Sequence, residues 1–387
     1  MYRLNATGFV MFARLQLHFT VIVLCGFLSL SGIISPAGAE PIKIGAIFAL
    51  SGKAERSNKG AVLGARLAVQ EINQAGGLLG QEVVLLLLDN NSTPIGSHVS
   101  AETAAAAGVK SIIGSMWSSH SLATAKVAEK HKIPMISPAS TIPSLTAIGE
   151  HIFRLCYDDN FQGRMLAEFS FRELGARRAQ VFVDITSDFS LNIADIFSQN
   201  FQALGGDVVQ EIEYKTGQAD YRSQIQEAQA HQADVVFLSG HDESGFFAHR
   251  LQEAGVTAVP IGGDSWDVES FFVSGGNKIK RGYFINHWTL DPKNPKHTSF
   301  LKKLQHPEAV NASMALAYDT VYILAAAIQK AGSTRNTAIC TALHDLQGFK
   351  GVTGEISFDA LGNATKRAAM IEIRQGVPSF LKSLVNE

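Results

Sequence analysis

IIGSMWSSHSLATAKVAEKHKIPMISPASTIPSLT, residues 112–146, reads as strand, loop, helix, strand, loop. The apolar run Ile112-Ile113-Gly114 stops at Ser115, and a short polar loop, Trp117-Ser118-Ser119-His120, follows. A helix is predicted over 121–131, a second buried strand over 133–136, and a break at Ser137-Pro138. Parallel strands in such a unit end at the same edge of the sheet, so both Ser/Thr-rich loops open there. The first loop also starts a helix, where unpaired backbone N–H groups and the helix dipole favour an anion. Ser118, Ser119, Ser140 and Thr141 add hydroxyl donors, and neither loop holds a lysine or arginine. Neutral donors around a small anion suit a carboxylate that must be released again. A serine here is also a common N-cap and Ser-Pro a common turn; two such loops on consecutive strands point to a site.

The chain around this stretch has 387 residues, too long for one ordinary domain and right for two. It is 46% hydrophobic and 18% charged, so a packed core is expected. Residues 1–39 differ from the rest: Arg3 and Arg14 precede an apolar stretch over 19–34, no acid comes before Glu40, and Ala37-Gly38-Ala39 offers a small-x-small cleavage site. This reads as a secretory signal peptide, with cleavage predicted before Glu40 and an uncleaved membrane anchor as the alternative. Its removal takes the net charge from −2 to −4. With no basic tract, nucleic acid is excluded as the expected partner. No later apolar run reads as long enough to span a bilayer. Cys156 and Cys340 remain in the mature chain, far apart and outside any CxxC or Cys/His cluster, so no zinc site is expected. Two buried free thiols are expected, with a disulfide as the alternative in an exported chain.

The same grammar extends in both directions. Ile42-Lys43-Ile44-Gly45-Ala46-Ile47-Phe48 is a strand, ended by Leu50-Ser51-Gly52. The helix after it buries Val62, Ala65, Val69 and Ile72, three and four apart. Gly76-Gly77-Leu78-Leu79-Gly80 follows a helix instead of opening one, so it is a cap and turn, not a phosphate loop. A strand over 83–88 and an alanine-rich helix lead into the opening unit. After Tyr157-Asp158-Asp159 the pattern restarts, with strands over 180–183, 208–214, 235–239, 258–261 and 283–286 and helices between them. Beyond Asp291 the chain turns helical, over 313–330 and 337–346, then closes with strands over 356–358 and 369–373. Alternating strands and helices imply parallel sheets covered on both faces. The fold class is therefore α/β, with two doubly wound Rossmann-like lobes.

In its mature part the chain resembles the periplasmic solute-binding proteins of ABC importers, in particular the leucine/isoleucine/valine-binding type. The likeness is carried by Ile44-Gly45-Ala46 through Leu50-Ser51-Gly52, Gly60-Ala61 through Glu71-Ile72-Asn73 with Gly76-Gly77, Ile112-Ile113-Gly114 through Ser118-Ser119, Ser137-Pro138-Ala139-Ser140-Thr141, and Gly351 through Phe358-Asp359. It implies a ligand clamped in a cleft between two lobes joined by three crossovers, placed near Asp158, near Trp288 and at 363–366. The expected division is lobe 1 over 40–158 and 289–364, and lobe 2 over 159–288 and 365–387. It also implies an amino-acid carboxylate on Ser118 and Thr141 with backbone help around Ala139 and Ser140, and an ammonium on Asp264. His241 matches a polar aromatic of the second lobe and Phe189 a cleft aromatic. The family's first-lobe aromatic falls at Ser57, while Trp117 and Trp266 are placed to refill the wall. Trp117 stands where one cysteine of the family's small disulfide would be, and Asn91 lies near the other.

The implied function is capture of a branched-chain or other hydrophobic amino acid by a monomer, and its delivery to a membrane permease, with no cofactor or metal. Aromatic carboxylates and small amides remain as alternative ligands, and a ligand-sensing regulator as an alternative role. A hydrolase is the rival class: Gly263-Asp264-Ser265-Trp266-Asp267 loosely resembles a nucleophile elbow, with His241 or His287 as base, but Asp267 occupies the second glycine position. Rossmann and P-loop fingerprints are absent.

Overall fold

The computed structural model describes residues 40–307 and 310–385. The signal peptide and its cleavage site fall on residues 1–39, which lie outside the described residues. Strand β1 (Ile42–Phe48) leads to α1 (Glu55–Gln74), β2 (Val83–Asp89), α2 (Pro94–Ala106), β3 (Ser111–Gly114), α3 (Ser118–Lys130), β4 (Met135–Ser137) and β5 (Ile152–Arg154). Then come α4 (Asp159–Glu168), β6 (Arg178–Asp184), α5 (Asp188–Ala203), β7 (Asp207–Tyr214), α6 (Arg222–Ala230), β8 (Val235–Leu238), α7 (Glu243–Glu253), β9 (Val259–Gly262), α8 (Glu269–Ser274) and β10 (Arg281–Asn286). The chain returns through α9 (Pro295–Leu301), α10 (Ala312–Ala331), α11 (Asn336–His344) and three short strands, β11 (Phe349–Lys350), β12 (Glu355–Phe358) and β13 (Ala364–Thr365). It closes with β14 (Ala368–Arg374) and β15 (Val377–Leu384).

Two sheets result. The first has the order β2-β1-β3-β4-β5 and is parallel throughout. Its inner strands β3 and β4 are buried at every residue, as strands covered by helices on both faces must be. The second has the order β15-β14-β10-β9-β8-β6-β7, and its β14 runs antiparallel to both its neighbours, β10 and β15. The expectation of parallel sheets thus needs correcting at that edge. β15 escapes sequence reading because Pro378 and mostly exposed residues blur its alternation.

Helices α1 and α10 pack on the first sheet at close range. A Cβ at Gly64 would stand 2.1 Å from the Met314 carbonyl oxygen, so only glycine permits that approach. Asn311 caps α10 by accepting from the Met314 N–H at 3.0 Å, and Gly332 ends it in the left-handed conformation at φ 55°. By length and composition α10 is apolar enough to cross a membrane, which sequence reading missed; here it is buried in the core of the first lobe.

Three crossovers join the lobes, at residues 155–158 after β5, from 287 after β10, and at 366–367 between β13 and β14. Arg154, fully buried, ties the first to the third. Its Nε donates to Asn363 Oδ1 at 2.7 Å, and its Nη atoms donate to the Ile142 and Pro143 carbonyls at 2.8 and 3.0 Å. Such charge-assisted bonds fix the first and third crossovers to one another. Cys156 and Cys340 are both free and buried.

Candidate functional site

The C-terminal ends of strands from both sheets face one cleft, where an α/β sheet places its ligands. The cleft is bordered by Ser57, Met116, Trp117, Ser118, Ala139 and Thr141 from the first lobe, and by Phe189, His241, Asp242, Asp264, Ser265 and Val268 from the second, with Ser313 at the start of α10.

On the first-lobe side, α3 begins at Ser118, earlier than the sequence pattern places it. Ser121 N–H already donates to the Trp117 carbonyl at 2.9 Å, so Ser118, Ser119 and His120 form the first helical turn. Their backbone N–H groups have no partner within the helix. Trp117 occupies the N-cap position without a side-chain cap bond. The Ser118 hydroxyl, in a buried residue, has no hydrogen bond among the described residues and borders the cleft. Ala139 borders the cleft beside it, and its N–H likewise lacks a partner among the described residues.

Ser140 does not join them. Its hydroxyl bonds to Ser121 Oγ and donates to the Met116 carbonyl at 3.1 Å. Ser137 Oγ and Ser121 Oγ donate to the Ser115 carbonyl at 2.8 and 2.9 Å. The expected ligand donor Ser140 is thus a strut that clamps the two loops together, and Ser118 and Thr141 are the hydroxyls left at the surface of the cleft.

On the second-lobe side, Asp264 follows β9. Its Oδ2 accepts from His287 Nε2 at 3.0 Å, while its Oδ1 is buried without a partner among the described residues. Burial holds His287 below the usual histidine range despite that carboxylate, so the neutral ring donates its Nε2 proton to Asp264. A buried carboxylate oxygen with no donor is costly.

The aromatic residues sort differently from their sequence positions. Trp117 stacks on His241 with ring centroids 4.2 Å apart, and His241 stacks on Phe189 at 5.0 Å. Lys53 lies 5.6 Å over the Trp117 ring, a cation that reading the two loops alone does not supply. Trp266 is fully buried in the second lobe's core, stacked on Phe271 at 4.5 Å, so it is not a cleft wall. Its indole lies against Gly262, where a Cβ would come within 2.0 Å of the ring. Ser57 does border the cleft, and its hydroxyl donates to the Ala54 carbonyl at 3.0 Å.

Asp242 was missed by sequence reasoning; burial raises its carboxyl above the ordinary value. The Gly240-His241-Asp242 loop at the end of β8 is the signal that locates it. The hydrolase elbow does not assemble, since Ser265 Oγ donates to the Gly240 carbonyl at 2.8 Å and His287 is engaged by Asp264.

The family model described as periplasmic binding protein matches residues 41–377. A curated relative, the Leu/Ile/Val-binding protein homolog 3 of Brucella melitensis, is 27% identical over 344 residues, 87% of this chain and 92% of that protein. The crystal structure of a leucine-binding protein, LivK, of Thermotoga maritima superposes with a TM-score of 0.84 at 30% identity, covering 89% of this chain and 99% of that one. The branched-chain amino acid transporter substrate-binding protein LivJ of Streptococcus pneumoniae, solved in complex with isoleucine, gives a TM-score of 0.82 at 27% identity, covering 88% and 99%.

Proposed function

We propose that this chain, which belongs to the periplasmic binding protein family, is an exported solute-binding protein of an ABC importer that captures an amino acid with an apolar side chain. The observation that carries the ligand class is the opposite polarity of the two cleft walls. One offers unpaired donors, the Ser118 hydroxyl and the first N–H groups of α3; the other offers Asp264 Oδ1, an acceptor with no donor. A zwitterion satisfies both at once. The names of the relatives, leucine-binding and Leu/Ile/Val-binding, agree with that class. Met116, Val268 and the Trp117–His241–Phe189 stack supply apolar surface for the side chain.

In this reading the ligand carboxylate docks on the first lobe through Ser118, Thr141 and the Ala139 loop. The second lobe then closes about the three crossovers and brings Asp264 to the ammonium. Closure is favoured because the ligand has more partners in the closed form than in the open one. The first lobe is taken as residues 40–158 and 289–364, the second as 159–288 and 365–387. The protein acts as a monomer in the periplasm after cleavage before Glu40, and the closed form docks on a membrane permease. Thermal-shift screening of the mature protein against aliphatic amino acids, aromatic carboxylates and small amides tests the class. Stabilisation by the first group alone is the expected result. A response confined to aromatic carboxylates would favour the second reading, for which the aromatic stack beside the cleft is the specific support.

A further inference from the structure

Asp267 occupies the position where a nucleophile elbow would need its second glycine, and the structure gives it a partner on the other lobe. Its Oδ2 accepts from the Ala312 N–H at 2.7 Å. Asp267 lies between Trp266 and Val268, both part of the second lobe's core. Ala312 is the first residue of α10 and belongs to the first lobe's core, with Ile44 and Phe48. The start of α10 is fixed to that lobe: Asn311 caps it, and a Cβ at Gly60 of α1 would come within 2.6 Å of Asn311 Oδ1. A carboxylate at the first turn of this 20-residue helix also meets the positive end of the helix dipole. Asp267 and Ala312 stand just outside the cleft lining, and the residues that follow them, Val268 and Ser313, are part of it.

We infer that Asp267 is a positioning residue for closure: its carboxylate latches the second lobe onto the first turn of α10 and so slows release of the ligand the cleft holds. This rests on the clamp reading above and adds to it a contact made without the ligand. The N–H at the first position of a helix has no partner inside the helix, so with the lobes apart the Ala312 N–H and the Asp267 carboxylate each turn to water. Closing the lobes exchanges those waters for one charge-assisted bond. The bond forms after the ligand has docked on the first lobe, so its loss is expected in the dissociation rate and not in the association rate. Unlike the proposed ammonium contact of Asp264, it does not depend on the ligand's own groups. Its loss is therefore expected to weaken binding of L-leucine and of the deaminated acid of leucine by the same factor.

Stopped-flow tryptophan fluorescence with L-leucine measures both rates in the native protein, Asp267→Ala, Ala312→Pro and the double variant. Proline is favoured at the first position of a helix, and Asn311 before it is already extended at φ −144° and ψ 174°, so Ala312→Pro deletes the donor and keeps α10. Each single variant is expected to release leucine about tenfold faster, with an unchanged association rate. The double variant should release it no faster than either, since both substitutions remove one bond. Asp267→Asn, which keeps an acceptor, should recover most of the native rate. A residue that merely supports its own lobe would act independently of Ala312, and the two effects would multiply. Multiplied effects, or native release from Asp267→Ala, would overturn the inference alone. Should Ala312→Pro not fold, equally fast release from Asp267→Ala and Asp267→Asn would do so. Failure of the native protein to bind leucine would sink the hydrophobic amino-acid reading and this inference with it.

Discussion

Trp117 and His241 lie face to face across the cleft, their ring planes within 6° of parallel and their centroids 4.2 Å apart, one ring from each lobe. Neither ring meets the other unless the lobes are together, so the stack contributes only to the closed form. Aromatic pairs of this kind are worth about 0.5–1.5 kcal/mol beyond their buried area. Trp117→Ala is therefore expected to weaken ligand binding by at least about 1 kcal/mol and to enlarge the unliganded protein in small-angle scattering. Unchanged affinity would place the stack outside the closure equilibrium.

Asp264→Asn removes the carboxylate proposed to face the ligand ammonium while keeping the size of the side chain and an acceptor for His287. A hydrogen bond to a charged group contributes about 1.5–3 kcal/mol, so amino acids should lose roughly 10- to 150-fold in affinity by that conversion. The corresponding carboxylic acids, lacking the ammonium, should lose much less. Equal losses for both would make Asp264 a structural partner of His287 and nothing more.

Ser118→Ala combined with Thr141→Ala should abolish amino-acid binding and leave the melting transition close to the parent's. Both hydroxyls border the cleft, whereas the serines that hold the loops together, Ser121, Ser137 and Ser140, are untouched. Ser140→Ala is the converse case. It removes bonds to Met116 and Ser121, so its expected effect is on stability, by about 1 kcal/mol per lost bond. A calorimetric melt of each variant separates the two roles.

The strand-end loops that build the cleft were legible because buried apolar runs stop abruptly there, at Gly114, Ser137, Leu238 and Gly262. Which side chain of a loop faces the cleft was not. Ser118 and Ser140 have the same chemistry, and only the turn of each loop sends one outward and the other into the Ser115–Ser121 network. Trp117 and Trp266 likewise both follow strands; the space above Gly262 draws the second into the core. The partner of Asp264 was hidden for another reason. His287 comes from a different strand end, and its 3.0 Å bond exists only after β9 and β10 pair.

His120 should limit stability in mild acid. It is 2% exposed beside Asn90, and burial, with His241 and Lys53 nearby, lowers its pKa to about 4. The unfolded chain binds a proton near the ordinary histidine value of about 6.5, whereas the folded chain resists it. The contribution of neutral His120 is thus complete above about pH 6.5 and is lost as pH falls through about 4. The loss is on the order of 3 kcal/mol. Denaturant melts from pH 7 downward should show this decline, and His120→Gln should flatten it. A parallel decline in the variant would assign the acid sensitivity to other groups.

Titrating the purified mature protein with an aliphatic L-amino acid, its decarboxylated amine and its deaminated acid asks whether both ends of a zwitterion are gripped at once. Tight binding of the amino acid, with the amine and the acid each weaker by an order of magnitude or more, is the expected result. Binding of either fragment as tightly as the parent amino acid would contradict a clamp formed by Ser118 and Thr141 on one wall and Asp264 on the other.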